Sequence, residues 1–181
     1  MPRPRKHDPL SRIVTLGEVD NESACDILKI FSEIQREDQN KETDKREPIK
    51  LYINSMGGGV YEGMAIVDAI EMSTTPVHVY VYGMAMSMAF AIATSGHYRY
   101  ASPRSTFMYH ELLWDTSYEK MKYHEQEMKE NKRLWKVYDD IILNKTNISP
   151  TTLKKVCERQ EDWYMTAQEA LKLGVIDEIL E

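Results

Sequence analysis

Val77, Val79 and Val81 alternate with His78, Tyr80 and Tyr82, the two-residue period of a half-buried strand. The same period recurs at Ile49, Leu51 and Ile53, and a first strand is expected over Arg12 to Leu16. Between them the spacing becomes helical. Ala24, Ile27, Ile30, Phe31 and Ile34 share one face behind a cap at Asp20 or Asn21. Met64, Val67 and Ile70 mark a second helix, which Pro76 separates from the next strand. Arg36 to Glu47 holds no apolar residue and reads as a solvated surface loop. Tyr98 to Ala101 and Thr106 to Tyr109 read as short strands around a turn at Ser102-Pro103-Arg104.

A long helix is expected from Tyr118 to Lys145. Its Met121, Met128, Trp135 and Ile142 recur every seven residues, with Tyr138 beside the seam. Such a stripe predicts contact with another chain or with another part of the body. Ser149-Pro150 opens a further helix, with proline where its missing N–H costs least. Thr166-Ala-Gln-Glu169 is a capping box for a last helix, which Gly174 can end before Val175-Ile176. Strands and helices in alternation predict an α/β domain with parallel strands and crossover helices. The 181 residues fit one domain, with residues 1–11 as a flexible tail.

Bulk properties narrow the function. The net charge of −6 gives no basis for broad nucleic-acid binding, and the basic cluster Pro2 to His7 belongs to the tail. The apolar run Met84 to Ala93 is too short to span a bilayer, and no signal peptide is apparent, so no membrane partner is expected. Cys25 and Cys157 have neither metal-site nor disulfide-framework spacing. They are expected to pack in a reducing, cytoplasmic setting, and no metal or cofactor is expected.

The candidate chemistry centres on Gly83-Met-Ala-Met-Ser-Met-Ala-Phe90. Ser87 falls where the strand gives way to a helix, with Ala85 and Ala89 to either side. A sharp nucleophile turn needs small residues there. The same pattern also describes a buried serine on a tightly packed helix. A nucleophilic serine needs a base, most often a histidine oriented by a carboxylate. Of five histidines, His110 ends a strand expected beside the one feeding Ser87, where such sheets place their chemistry. Asp115, Asp139, Asp162 and Asp177 all remain candidates by spacing alone. The run Gly57-Gly58-Gly59 lacks the Lys-Ser/Thr of a nucleotide-binding loop. It suits either a tight turn or backbone N–H groups facing an oxyanion.

Leu51-Tyr-Ile-Asn-Ser-Met-Gly-Gly58, Gly63-Met-Ala-Ile-Val-Asp68 and Gly83-Met-Ala-Met-Ser-Met88 together resemble the ClpP family, the proteolytic subunit of the Clp protease. Phe107-Met-Tyr-His110 resembles that family's histidine strand. Asp162-Trp-Tyr-Met-Thr-Ala167, with Gly174-Val-Ile-Asp177, resembles its carboxylate segment. The likeness runs from about Arg12 to Leu180. It implies a crotonase-like spiral of β-α units with a protruding handle helix. It implies Ser87 as nucleophile, His110 as base, Asp162 as orienting carboxylate, and the N–H groups of Gly58 and Met88 as the oxyanion hole. It further implies cleavage of polypeptides inside one or two stacked heptameric rings, with a Clp-type AAA+ ATPase unfoldase as partner.

The sequence also departs from the family pattern. Met56 and Ala89 stand where the family usually has proline and glycine, and Glu111-Leu-Leu-Trp114 follows the histidine. Leu112 to Trp114 form a candidate apolar side-chain pocket. Of the expected docking positions Tyr52, Tyr82 and Tyr100 fit, whereas Lys50, Ser73 and Ser102 do not. A catalytically silent ring subunit is the alternative reading. An acyl-CoA enzyme of the same fold class is a third.

Overall fold

A computed structural model describes residues 12–111 and 121–181. The strands are β1 (Ile13–Leu16), β2 (Ile49–Ser55), β3 (Val77–Met86), β4 (Tyr98–Ala101), β5 (Thr106–Tyr109), β6 (Trp163–Thr166) and β7 (Glu178–Ile179). The helices are α1 (Asn21–Asp38), α2 (Val60–Glu71), α3 (Met88–Thr94), α4 (Met121–Lys145), α5 (Pro150–Arg159) and α6 (Ala167–Lys172). A 3-10 turn spans Thr43–Lys45.

The main sheet runs β1-β2-β3-β4-β7, all parallel. β3 is longer than the alternating valines suggested, and its two halves have different neighbours. Its first half pairs with β4, Val81 facing Ala101; its second pairs with β5, Met86 facing Met108. β6 then joins β5 antiparallel, a departure from the all-parallel expectation, with Trp163 facing Tyr109. The alternation on β2 and β3 is explained by burial. Ile49, Leu51, Val77, Val79 and Val81 are fully buried, while Tyr52, Tyr80 and Tyr100 stack on the other face at 4.8–5.0 Å. α3 is apolar on every side and buried throughout, as an inner helix must be.

Local signals mark most helix ends. Asp20 caps α1 through the Ser23 N–H, and Ser23 returns a bond to the Asp20 N–H. Ser149 caps α5, and Thr166 with Glu169 forms the expected capping box on α6. Gly174, at φ 68°, follows α6. The predicted loop from Arg36 is corrected. α1 continues to Asp38, whose carboxylate is fully buried. Arg12 meets it with two donors at 2.7 Å, and Lys41 and Thr75 add bonds of 2.8 and 2.9 Å. A polar run can thus reach the interior when distant partners satisfy its charge.

The seven-residue stripe on α4 also divides. Ile142 is buried against the chain's own core, as is Tyr138 beside the seam; Trp135 is half-buried against the same core, and Met128 is exposed. Of the two contacts the stripe predicted, the one with another part of the body is thus present for Trp135 and Ile142. Residues 1–11, 112–120 and the Met121 side chain lie outside the described residues, and with them the tail, the start of the handle helix and the Leu112–Trp114 pocket. On α2, Ile66 is buried with Val67 and Ile70, whereas Met64 is half-buried. Cys25 is exposed rather than packed. Among the described residues no helix is long and apolar enough to cross a membrane.

Candidate active site

β3 ends at Met86 and α3 begins at Met88, so Ser87 alone makes the turn. Its backbone sits at φ 52°, ψ −128°, one of two positive-φ residues other than glycine among those described. Such a conformation costs roughly 1–3 kcal/mol and persists only where the surroundings impose it. Here they do. The Ser87 N–H donates to Met108 O at 3.0 Å, and its carbonyl accepts from the Phe90 N–H at 2.8 Å. The Tyr138 hydroxyl donates to the same carbonyl at 3.1 Å. Ala85 and Ala89 are fully buried, which accounts for the small residues around the serine.

The register of β5 on β3 places the imidazole. With Met108 opposite Met86, His110 emerges beside Ser87. His110 Nε2 lies 2.8 Å from Ser87 Oγ. The antiparallel β6 then brings in the carboxylate, because Trp163 faces Tyr109 and Asp162 directly precedes it. Gln160 in the left-handed region caps α5 and turns the chain toward this strand. Asp162 Oδ1 stands 3.7 Å from His110 Nδ1, within ion-pair range but beyond hydrogen-bond length. The histidine side chain is 14% exposed and the aspartate 52%.

The rival residues are engaged elsewhere. Asp177 holds Arg99 through both oxygens. Asp139 accepts from the Tyr109 hydroxyl at 2.7 Å, and burial pushes its carboxyl above the ordinary range. His97 Nδ1 accepts the Val77 N–H, and His78 packs on Tyr98; burial lowers both imidazoles. Asp115, His7 and the side chain of His124 lie outside the described residues.

The glycine run packs against the serine. Gly57 is at φ 103°, and a Cβ there would lie 2.8 Å from both Met86 O and Ser87 Cβ. Gly58, at φ 145°, bridges to Val19, and a Cβ there would lie 2.2 Å from Val19 O. Val19 N–H donates to Gly57 O and Gly59 N–H to Val19 O, so the Gly58 N–H between them faces away from Val19. Among the described residues neither the Gly58 nor the Met88 N–H has a hydrogen-bond acceptor. No group of three metal-ligating side chains occurs among those residues.

This arrangement can move a proton from a hydroxyl to an imidazole beside two free N–H donors. The model of the Clp protease family matches residues 10–181. The chain belongs to the Clp protease family. The mixed sheet and six helices among the described residues are the Clp protease fold, and the family comprises peptide-bond hydrolases that generally form oligomeric rings.

Glu111, next to His110, borders a cavity of about 400 Å³ that Trp135, Asp139 and Leu153 also line. A second, apolar cavity of about 570 Å³ lies among Leu16, Tyr52, Ile53 and Tyr82. Ser73, expected from the resemblance at a docking position, is buried, with its hydroxyl bonded to Thr75 O. Sequence reasoning missed the contact of Tyr138 with Ser87 and the bridge from Val19. Neither has a local signal, because each joins residues far apart in the chain.

Proposed function

We propose that this chain is an active serine endopeptidase of the Clp type, a single domain cutting unfolded polypeptides through an acyl-enzyme. The observation that carries the reading is the 2.8 Å contact between Ser87 Oγ and His110 Nε2 at a strained, partly buried turn. Ser87 Oγ attacks the substrate carbonyl carbon while its proton passes to His110 Nε2. Asp162 faces the Nδ1–H and stabilises the imidazolium that forms. The new oxyanion accepts from the Gly58 and Met88 N–H groups. The imidazolium then gives its proton to the leaving amine as the C–N bond breaks. Water repeats the sequence on the ester, returning Ser87 and releasing the acid.

The chain assembles into one or two stacked heptameric rings in the cytoplasm, and a Clp-type AAA+ unfoldase delivers folded substrates. Membership of a family that generally forms oligomeric rings supports the assembly. The silent-subunit alternative draws on one observation, the 3.7 Å gap between His110 and a half-exposed Asp162.

Labelling with a fluorophosphonate, hydrolysis of an apolar-P1 fluorogenic peptide, and solution mass by light scattering test the reading. The expected result is a label on Ser87, turnover lost in Ser87→Ala, and a mass of at least seven chains. Absence of labelling in the assembled protein would establish the silent subunit instead.

A further inference from the structure

Tyr138 is an internal residue of α4, yet its hydroxyl reaches the backbone of the strained turn. Its ring is completely buried and stacks on Tyr109 with centroids 5.6 Å apart and planes 13° from parallel. The hydroxyl donates to the Ser87 carbonyl at 3.1 Å. That carbonyl belongs to the peptide unit linking Ser87 to Met88. A trans peptide is planar, with its C=O and N–H pointing in opposite directions, and no cis peptide occurs among the described residues. Holding the oxygen therefore fixes the direction of the Met88 N–H. A hydrogen bond to the oxygen also polarises the unit and strengthens its N–H as a donor.

We infer that Tyr138 is a positioning residue for the oxyanion site: its hydroxyl aims and polarises the Ser87–Met88 peptide so that the Met88 N–H meets the developing oxyanion. The inference rests on the serine-peptidase reading. The carbonyl has a second donor, the Phe90 N–H at 2.8 Å, but that bond lies within the turn itself. Tyr138 ties the same atom to a different element. It can resist rotation of the peptide plane, which the turn's own bond cannot do alone. Burial of the whole ring gives the hydroxyl little freedom to find another partner.

The test is Tyr138→Phe, which keeps the ring and removes the donor. Tyr109→Phe is the control, because its hydroxyl serves Asp139 and Cys157 rather than the turn. Three quantities are measured on the assembled protein: kcat and KM for a fluorogenic peptide, the rate of fluorophosphonate labelling, and the affinity of a peptidyl boronate that mimics the tetrahedral intermediate. For Tyr138→Phe the expected result is a kcat lower by about five- to tenfold, the order of one neutral hydrogen bond, with KM unchanged. Boronate affinity and labelling rate should fall in parallel, and Tyr109→Phe should leave all three near wild type. Unchanged kcat and boronate affinity in Tyr138→Phe, with wild type normally labelled, would overturn this inference alone. Equal losses in both variants would overturn it too, by assigning the effect to packing. A wild type that neither labels nor turns over would overturn the peptidase reading and this inference with it.

Discussion

Ser87 and Asp162 flank the same imidazole but are held in contrasting ways. Three hydrogen bonds from three parts of the chain fix the Ser87 backbone, and Ala85, Met88 and Ala89 around it are fully buried. Asp162 precedes a four-residue edge strand, is half-exposed, and stands 3.7 Å from its partner nitrogen. The geometry of the serine is thus a property of the packed core. The carboxylate's reach is a property of one rotatable side chain at the surface. Hydrogen bonds of this kind are often long without substrate and shorten in the reacting complex. Strain is tolerated at Ser87 because its surroundings leave no alternative, whereas adjustment is left to Asp162.

The sharpest way to break the contrast is at the serine. Ser87→Ala should lower peptide hydrolysis by about 10⁶-fold and abolish labelling, with melting temperature and solution mass unchanged. Near-normal turnover of the purified variant would remove Ser87 from the chemistry.

Asp162→Asn tests the exposed end. If the carboxylate closes on His110 during reaction, kcat should drop by about 10⁴-fold. A loss below tenfold would mean that the 3.7 Å gap persists and that Asp162 orients nothing. The backbone donors come next. Gly58→Ala places a methyl against Val19 O at a φ that side chains avoid, so the loop must move. Loss of one oxyanion donor predicts a fall of about 10²–10³ in kcat. Melting temperature distinguishes local displacement from unfolding.

Asp38 supplies the smallest effect and a contrast outside the site. Its carboxyl is held well below the ordinary carboxylate range, first by the hydrogen bonds from Arg12, with Lys41 and Thr75 contributing. A lowered folded-state pKa means that this stability is fully present above the unfolded value. It is lost as pH falls below about 4. Asp38→Asn should cost about 3–5 kcal/mol, flatten the acid limb of the melting profile, and leave kcat at pH 7 unchanged. An unaltered acid limb would show that Asp38 does not govern it.

Much of this was legible in the sequence because it depends on neighbours. The two-residue period of β3, the caps at Asp20, Ser149 and Thr166, and the strand-to-helix step at Ser87 are short-range effects that a chain carries in its own order. The family motifs extended that legibility to His110, Asp162, Gly58 and Met88 as expected site residues. Other features needed the tertiary structure. Asp38 lies in a run with no apolar residue, and its burial is tolerable because Arg12 and Thr75, 26 and 37 positions away, join the nearby Lys41 in satisfying its charge. The α4 stripe could face a second chain or the body; packing put Trp135 and Ile142, with Tyr138 beside them, on the body and left Met128 exposed. The register of β5 on β3 and of β6 on β5 sets the distances from His110 to Ser87 and Asp162. Tyr138 meets Ser87 across 51 positions for the same reason. Periodicity reports which face of an element is apolar. Which distant elements meet, and in what register, depends on how those faces fill one shared core.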